Sequence, residues 1–290
     1  MTDDSSGRRA AVVGRPISHS LSPVLHTAAY RALGLANWRY DRIDCAAEAL
    51  HSLVAGLGTE WAGLSVTMPD KRAALALASE VTERAAAVGA ANTLVPIPGG
   101  WRADSTDVDG VVGALTAAAG YRPHDGATAL LLGAGGTAQA SLAALAELRL
   151  SAVIMVVREP ARAAEAVATA ERVGMKLILR SWSEVDLAAL AAESAVLIST
   201  VPAGVADPFA NQLAEASCLL DVVYHPWPTA LSLAAQRRGR RLGTGLDMLL
   251  HQAFGQVEQF TGLPAPREAM RDALRDAHRG ITGTTLPLPL

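Results

Sequence analysis

The chain has 290 residues, half of them apolar, and a net charge of −3 from 25 basic and 28 acidic residues. This length and apolar content suffice for one large domain or two modest ones. A weakly acidic chain without a basic block is not expected to bind nucleic acid or an anionic membrane surface, and it holds no apolar run long enough to span a bilayer.

The first 110 residues alternate short apolar strands with helices. The predicted strands are residues 10–14, 38–44 and 62–66 and a hairpin at 92–103, and helices follow from Ser22, Ala46 and Thr67. Pro23 suits the first turn of the helix that Ser22 is predicted to cap. Asp107 or Asp109 is predicted to cap a further helix, which ends at Gly120.

From residue 127 onwards, strands and Ala-rich helices alternate regularly. The predicted strands are residues 127–132, 152–157, 177–179, 195–200 and 218–224, followed by helices at 246–260 and 267–278 and a loose tail at 280–290. Such alternation predicts a parallel sheet covered by helices on both faces. The Pro- and Gly-containing stretch 121–126 is the predicted linker between two α/β domains.

A glycine-rich turn follows the predicted strand 127–132. Gly133, Gly135 and Ala138 have the spacing G-x-G-x-x-A, which permits a tight turn, a close approach of backbone to a pyrophosphate, and close helix–strand packing. The N-terminus of the next helix would present N–H groups to the phosphates. The turn predicts a dinucleotide site, although an ordinary strand-to-helix turn in an Ala-rich protein has the same pattern.

Arg158 follows the next predicted strand, where a dinucleotide fold meets the adenosine ribose. An acidic residue there favours NAD, whereas an arginine suits the 2′-phosphate of NADP. Arg158 and Arg162 therefore favour NADP, and Glu159 between them favours NAD. All three also fit the description of solvated surface charges.

Lysine is almost absent from the chain. Of its 25 basic residues only Lys71 and Lys176 are lysine. Arginine keeps its proton in proteins, whereas lysine can lose it, so a lysine in this background indicates proton transfer. Lys176 stands at a predicted strand start and is interpreted as a surface residue, which leaves Lys71 as the candidate.

Polar residues at predicted strand ends suit a polyhydroxylated substrate, because ligands collect at the carboxyl ends of strands in open α/β sheets. They are Ser20, Ser22, Thr67, Lys71, Asn92 and Asp107. Taken singly, Ser22, Asn92 and Asp107 are equally explained as helix caps or turn residues.

Seven stretches, in order, resemble the motifs of the shikimate dehydrogenase family. They are residues 14–23, 65–71, 89–94, 105–110, 133–136, 221–226 and 245–253. The resemblance covers about residues 10–262. It implies an N-terminal substrate-binding domain, formed by residues 1–110 and completed by the C-terminal helices of 245–290, and a Rossmann-type dinucleotide-binding domain of residues 111–244.

The resemblance also implies the reversible reduction of 3-dehydroshikimate to shikimate by NADPH, with Lys71 as general acid–base and Asp107 as its partner. The substrate-binding residues implied are Ser20, Ser22, Thr67, Asn92, Tyr224 and Gln252. The NADP-binding residues implied are Gly133, Ala134, Gly135, Gly136, Thr137, Arg158, Val222 and Gly245. The expected partner is this small-molecule substrate, bound by a monomer or homodimer without nucleic acid or membrane.

Departures from the family pattern keep two alternatives open. Ser65 and Ser105 stand where asparagine is usual, and Val157 and Glu159 flank Arg158 where asparagine and threonine are usual. Glu159 favours a paralogue that oxidises quinate or an aminated shikimate with NAD. The two serines favour a catalytically silent NADP-binding regulatory module.

The expected compartment follows from the cysteines and the N-terminus. Cys45 and Cys218 are isolated in apolar surroundings, as in reduced cytoplasmic proteins, and the first nine residues lack the apolar stretch of a secretory signal. We therefore expect a cytoplasmic protein. No cluster of His, Cys, Asp and Glu indicates a metal site, and His19 and His251 are interpreted as structural residues.

Overall fold

The computed structural model describes residues 7–290. Within them the chain divides into two compact units. The first comprises the chain up to Thr106 with Gln252–Leu288 and Leu290, and the second comprises Asp107–His251 with Pro289. The divisions fall at the start of one helix and inside another, rather than after residues 110 and 244.

The first unit is built on a mixed six-stranded sheet. Its strands are β1 (Arg9–Gly14), β2 (Arg39–Asp44), β3 (Trp61–Val66), β4 (Glu80–Val81), β5 (Thr93–Ile97) and β6 (Gly100–Asp104). Its helices are α1 (Ser22–Ala32), α2 (Leu50–Ala55), α3 (Lys71–Leu77), α4 (Glu83–Val88), α12 (Arg267–Thr282) and the part of α11 (Gly245–Thr261) from residue 252. The strand order is β2-β1-β3-β5-β6-β4.

Burial explains this strand order. The apolar strands β1 and β3 lie inside the sheet and are buried on both faces, as parallel strands covered by helices are. In the edge strand β2 only Tyr40 is buried, whereas the other residues are half-buried or exposed. The hairpin of β5 and β6 is antiparallel, as predicted.

The second unit has an all-parallel sheet of order β12-β11-β10-β7-β8-β9. Its strands are β7 (Thr128–Leu132), β8 (Ala152–Val157), β9 (Lys176–Ser181), β10 (Val196–Ser199), β11 (Cys218–Asp221) and β12 (Arg241–Thr244). Its helices are α5 (Asp107–Gly113), α6 (Gly136–Glu147), α7 (Ala164–Arg172), α8 (Leu187–Glu193), α9 (Ala210–Leu213), α10 (Ala230–Arg237) and the start of α11. This is the doubly wound order, and the predicted α/β fold class is confirmed.

The order of the strands reverses beside β7. The chain runs from β7 outward to β9 and then returns to β10 on the other side of β7. Ligands of doubly wound sheets bind at this switch point, outside the carboxyl ends of the strands. The glycine-rich turn after β7 therefore lies where the fold class places a ligand.

One local prediction differs from the structure, and two short strands were missed. The N-cap of α1 is Leu21 and makes no side-chain cap, so Ser22 is the first helical residue instead of the cap. The short strands β4 and β12 were not predicted, because two residues and a stretch ending in Gly-Thr give no apolar run.

The prediction of a loose tail at residues 280–290 is wrong. Helix α12 continues to Thr282, and beyond it Arg275 Nε donates to Leu286 O at 3.2 Å. The Leu288 side chain is fully buried. Hydrogen bonds from Arg275 and the buried Leu288 therefore fix the position of this C-terminal segment, although its composition predicts no ordered structure.

The part of the chain that the structure describes has neither a membrane span nor a cluster of metal ligands. No helix of residues 7–290 is long and apolar enough to cross a membrane. No three His, Cys, Asp or Glu side chains in that range are grouped as metal ligands. Cys45 and Cys218 are buried and unpaired, and burial raises the pKa of the Cys218 thiol to about 11, which keeps it protonated.

Candidate functional site

The glycine-rich turn has the geometry that a pyrophosphate requires. Gly133 has φ of +98°, and a Cβ there would lie 2.6 Å from Thr200 Oγ1, so a larger residue is excluded. Gly135 is the N-cap of α6, and a Cβ there would meet nothing within 4 Å. Ala138 is fully buried. Helix α6 has 12 residues and no side-chain cap at its N-terminus, which is the kind of helix start that can bind an anion.

Arg158 follows β8, the neighbour of β7 in the sheet, and is exposed. Next to it, Glu159 Oε2 lies 3.9 Å from Arg162 Nη1. Both side chains of this pair are largely exposed, so their attraction is weak and easily replaced by a stronger anion. The two arginines and the glycine-rich turn follow the carboxyl ends of neighbouring parallel strands. Arginines at that place suit a phosphate in addition to the pyrophosphate.

Val222, Tyr224 and Gly245 are brought together at the same sheet edge. Val222 follows β11 and Gly245 follows β12. A Cβ on Gly245 would lie 2.1 Å from Val222 O and 3.2 Å from Tyr224 Cδ1, so only glycine fits. These three residues, predicted to line nicotinamide and substrate, are therefore neighbours.

Asp247 holds the start of α11 at this position. Its Oδ2 accepts hydrogen bonds from Thr244 N at 2.8 Å and Thr244 Oγ1 at 2.6 Å. Burial raises the pKa of Asp247. The sequence motifs did not single out this residue, although its place three residues after Thr244 is a capping spacing.

Ser20 and Ser22 form a buried hydroxyl pair in the first unit. Their Oγ atoms are 3.3 Å apart, and Ser22 N donates to Ser20 Oγ at 3.3 Å. From β2, Arg42 donates to Ser20 O through Nε at 3.0 Å and Nη2 at 2.6 Å. Two hydroxyls on one short loop, with a guanidinium bonded to that loop from β2, are suited to bind a carboxylate.

Asn92 and Gln252, which are 160 residues apart, meet in a second buried cluster. Asn92 Oδ1 accepts from Thr106 N at 2.8 Å, and Asn92 Nδ2 donates to Thr106 Oγ1 at 2.9 Å and to Gln252 Oε1 at 3.2 Å. Asp107 directly follows Thr106 and begins α5. Amides in fixed orientations are suited to bind hydroxyl groups.

Lys71 begins α3, and its main chain is tied to the loop that precedes β5. Lys71 O accepts from Ala91 N at 2.9 Å, next to Asn92. Thr67 is anchored by its N–H, which donates to Val13 O at 2.9 Å. Thr67, Lys71 and Asn92 are thus positioned by one set of main-chain hydrogen bonds, whereas Asp107 belongs to the second unit.

Asp70, directly before Lys71, is a fully buried carboxyl group. Neither of its oxygens has a hydrogen-bond partner among the described residues. Burial, followed by the charge of Glu48, raises the pKa of Asp70 to about 6. The folded state therefore binds the Asp70 proton more tightly than the unfolded state, and stability is lost as the pH rises through about 6.

Asp70→Asn is accordingly expected to stabilise the protein by about 1 kcal/mol at neutral pH and above, since it removes a buried unpaired charge. The gain is expected to vanish below the ordinary carboxyl pKa, where Asp70 is protonated in both states. Urea unfolding across this pH range measures it, with the exposed Asp125→Asn as control. A gain that is constant with pH would contradict the assignment of the charge to Asp70.

Comparisons with known proteins cover most of the chain. The family model of the shikimate dehydrogenase substrate binding domain matches residues 12–94, and that of the shikimate 5′-dehydrogenase C-terminal domain matches residues 245–275. A protein of Methylobacterium radiotolerans named shikimate dehydrogenase (NADP(+)) is 40% identical over 277 residues, which cover 92% of this chain and 95% of the relative.

Two solved structures are similar over almost their full lengths. The crystal structure of Mycobacterium tuberculosis shikimate dehydrogenase has a TM-score of 0.86 and 54% identity, covering 92% of this chain and 98% of that one. The structure of shikimate 5-dehydrogenase from Thermus thermophilus in complex with NADP(H) and shikimate has a TM-score of 0.78 and 34% identity, covering 93% and 99%.

Proposed function

Because the chain belongs to the shikimate dehydrogenase family, we propose that it is an NADP-dependent oxidoreductase that interconverts 3-dehydroshikimate and shikimate. The observation that carries this proposal is the similarity to a relative named for that activity, which extends over 92% of the chain. The glycine turn, the carboxylate-binding loop and the amide cluster each supply chemistry that the reaction needs.

NADP fits the second unit because a Cβ at Gly135 would meet nothing within 4 Å and helix α6 begins there without a side-chain cap. When bound, it supplies the hydride or accepts it. The turn Gly133–Thr137 would hold the pyrophosphate, Arg158 the 2′-phosphate, and Val222 and Gly245 the nicotinamide.

The first unit would hold the substrate at both ends. Ser20 and Ser22 bind the carboxylate in this proposal. The ring hydroxyls are bound by Thr67, Asn92 and Gln252, and the resemblance to the family adds Tyr224 to the substrate-binding residues. During oxidation, Lys71 takes the proton of the reacting hydroxyl as the hydride leaves its carbon, and in the reverse direction it returns that proton to the carbonyl oxygen. Asp107 orients the lysine.

Arg42→Ala is expected to raise the KM for shikimate about tenfold while kcat changes little, because hydrogen bonds from a charged donor to Ser20 O are lost. The KM of Arg42→Lys should lie between those of the parent and of Arg42→Ala, since lysine keeps the charge but cannot donate two hydrogen bonds from one planar group. Steady-state kinetics measure both, with Arg39→Ala, exposed on the same strand, as control. Equal effects at positions 39 and 42 would contradict a role for the loop contact.

Initial rates with shikimate or quinate, each with NADP⁺ or NAD⁺, test the proposed function. The highest kcat/KM is expected for shikimate with NADP⁺. A preference for quinate or NAD⁺ would instead make the chain the paralogue that Glu159 favours. Cofactor binding without turnover would make it the silent module, against which Lys71 and Asp107 argue.

We also propose that the enzyme works in the cytoplasm, which its two unpaired buried thiols support. Its assembly as a monomer or a homodimer stays a prediction.

A further inference from the structure

A chain of buried hydrogen bonds crosses the first unit from β2 to α11. Tyr40 Oη donates to Ser65 Oγ at 2.6 Å, and Ser65 Oγ donates to Gln256 Oε1 at 2.7 Å. Gln256 Nε2 then donates to Asn92 O at 3.0 Å and to Thr93 Oγ1 at 3.1 Å. Thr93 Oγ1 completes the chain by donating to Asn92 Oδ1 at 2.9 Å. Each of these five residues is buried.

A main-chain carbonyl sets the direction of the first half. Asn92 O can only accept, so Gln256 must turn its NH2 group to it and its Oε1 to Ser65. The single proton of Ser65 is then used toward Gln256, and the Ser65 oxygen must accept from Tyr40. Only one arrangement of donors satisfies all of these contacts.

A main-chain N–H sets the direction of the second half. Thr106 N can only donate, so Asn92 turns its Oδ1 to it and its Nδ2 toward Gln252 Oε1. The Gln252 oxygen is therefore an acceptor within the cluster, and its NH2 group is turned away from Asn92.

Tyr40 is held as the donor at the start of this chain. Its ring is stacked on His26, with centroids 3.9 Å apart and planes at 14°. Burial lowers the pKa of His26 to about 3, so the stacking partner is uncharged. Burial also raises the pKa of Tyr40 well above its ordinary value. The phenol therefore keeps its proton at every pH at which the enzyme works.

We propose that Tyr40 and Ser65 are positioning residues, whose hydroxyls hold Gln256 and thereby fix the substrate-binding amides of Asn92 and Gln252. The proposal rests on the proposed function. Ser65 then no longer favours the catalytically silent module. Its hydroxyl accepts from Tyr40 and donates to Gln256, so the serine that stands where the family usually has an asparagine is hydrogen-bonded on both sides.

Tyr40→Phe, Ser65→Ala and the double variant test this role. Tyr30→Phe is the matched control, because Tyr30 is buried in the same aromatic cluster but its hydroxyl has no hydrogen-bond partner among the described residues. The readouts are kcat/KM for shikimate, the KM for NADP⁺, and kcat/KM for shikimate analogues that each lack one ring hydroxyl. Thermal unfolding establishes that each variant is folded.

Each single variant is expected to lower kcat/KM for shikimate about tenfold, the cost of one broken buried hydrogen bond. The double variant should lose less than the product of the two single losses, since Tyr40 and Ser65 act through one chain. The KM for NADP⁺ and the activity of Tyr30→Phe should not change. In the parent, an analogue that lacks one ring hydroxyl should have a lower kcat/KM than shikimate. This difference should be smaller in the variants, which a purely structural defect would not cause.

The inference is overturned if the parent is active and the variants keep its kcat/KM for shikimate. It is also overturned if Tyr30→Phe lowers kcat/KM as much as Tyr40→Phe, or if the double variant lowers it by the product of the two single losses. If Ser65→Ala does not fold, the comparison of Tyr40→Phe with Tyr30→Phe decides, since each removes one oxygen. A folded parent that does not oxidise shikimate with either cofactor would instead remove the proposed function, and this inference with it.

Discussion

Lys71→Met is expected to lower kcat for shikimate oxidation by about 10²–10⁴-fold, the contribution of a positioned acid–base. Methionine keeps the length of the side chain but cannot take the hydroxyl proton. The KM for NADP⁺ should stay at the parental value, because the residues proposed to bind the cofactor belong to the second unit. Stopped-flow and steady-state rates of NADPH formation measure the loss.

Lys176→Met is the matched control, since Lys176 is the only other lysine and is exposed on β9. It is expected to keep the parental rate. A variant at position 71 that keeps the parental rate would remove the acid–base role.

Arg158→Ala is expected to raise the KM for NADP⁺ by about 10–100-fold, the range for hydrogen bonds to a charged group. The KM for NAD⁺, which has no 2′-phosphate, should change little. The ratio of kcat/KM for the two cofactors measures the selectivity directly. Equal losses with NADP⁺ and NAD⁺ would mean that Arg158 does not bind the 2′-phosphate.

Glu159→Gln is the companion variant and is expected to act in the opposite direction. Glu159 is paired with Arg162 at 3.9 Å, and its charge repels a phosphate bound beside Arg158. Removing the charge should lower the KM for NADP⁺ about threefold, the scale of interactions between exposed charges. An unchanged KM would show that Glu159 is simply a surface residue.

The sequence predicted most accurately those elements whose signals are local. The apolar strands β7 and β8 and the turn between β7 and α6 are defined by runs of neighbouring residues, and the structure places them as predicted. Strand β12 has no such run and is held in the sheet by pairing with β11, so it could not be found from its own residues.

The candidate site shows the same division. The motif residues were found singly, and the structure adds that Asn92 and Gln252 are hydrogen-bonded to each other. Gln256, Tyr40 and Arg42 were missed because they act through residues far away in the chain: Gln256 lies 191 residues from Ser65. Such contacts depend on the packing of α11 and β2 in the first unit and leave no spacing pattern.

The most direct test of the account is the reaction in the reductive direction, with purified protein, 3-dehydroshikimate and NADPH. We expect shikimate as the product, formed in equal amount to the NADPH consumed, and no turnover by Lys71→Met on the same timescale. No consumption of NADPH, or a product other than shikimate, would contradict the proposed function.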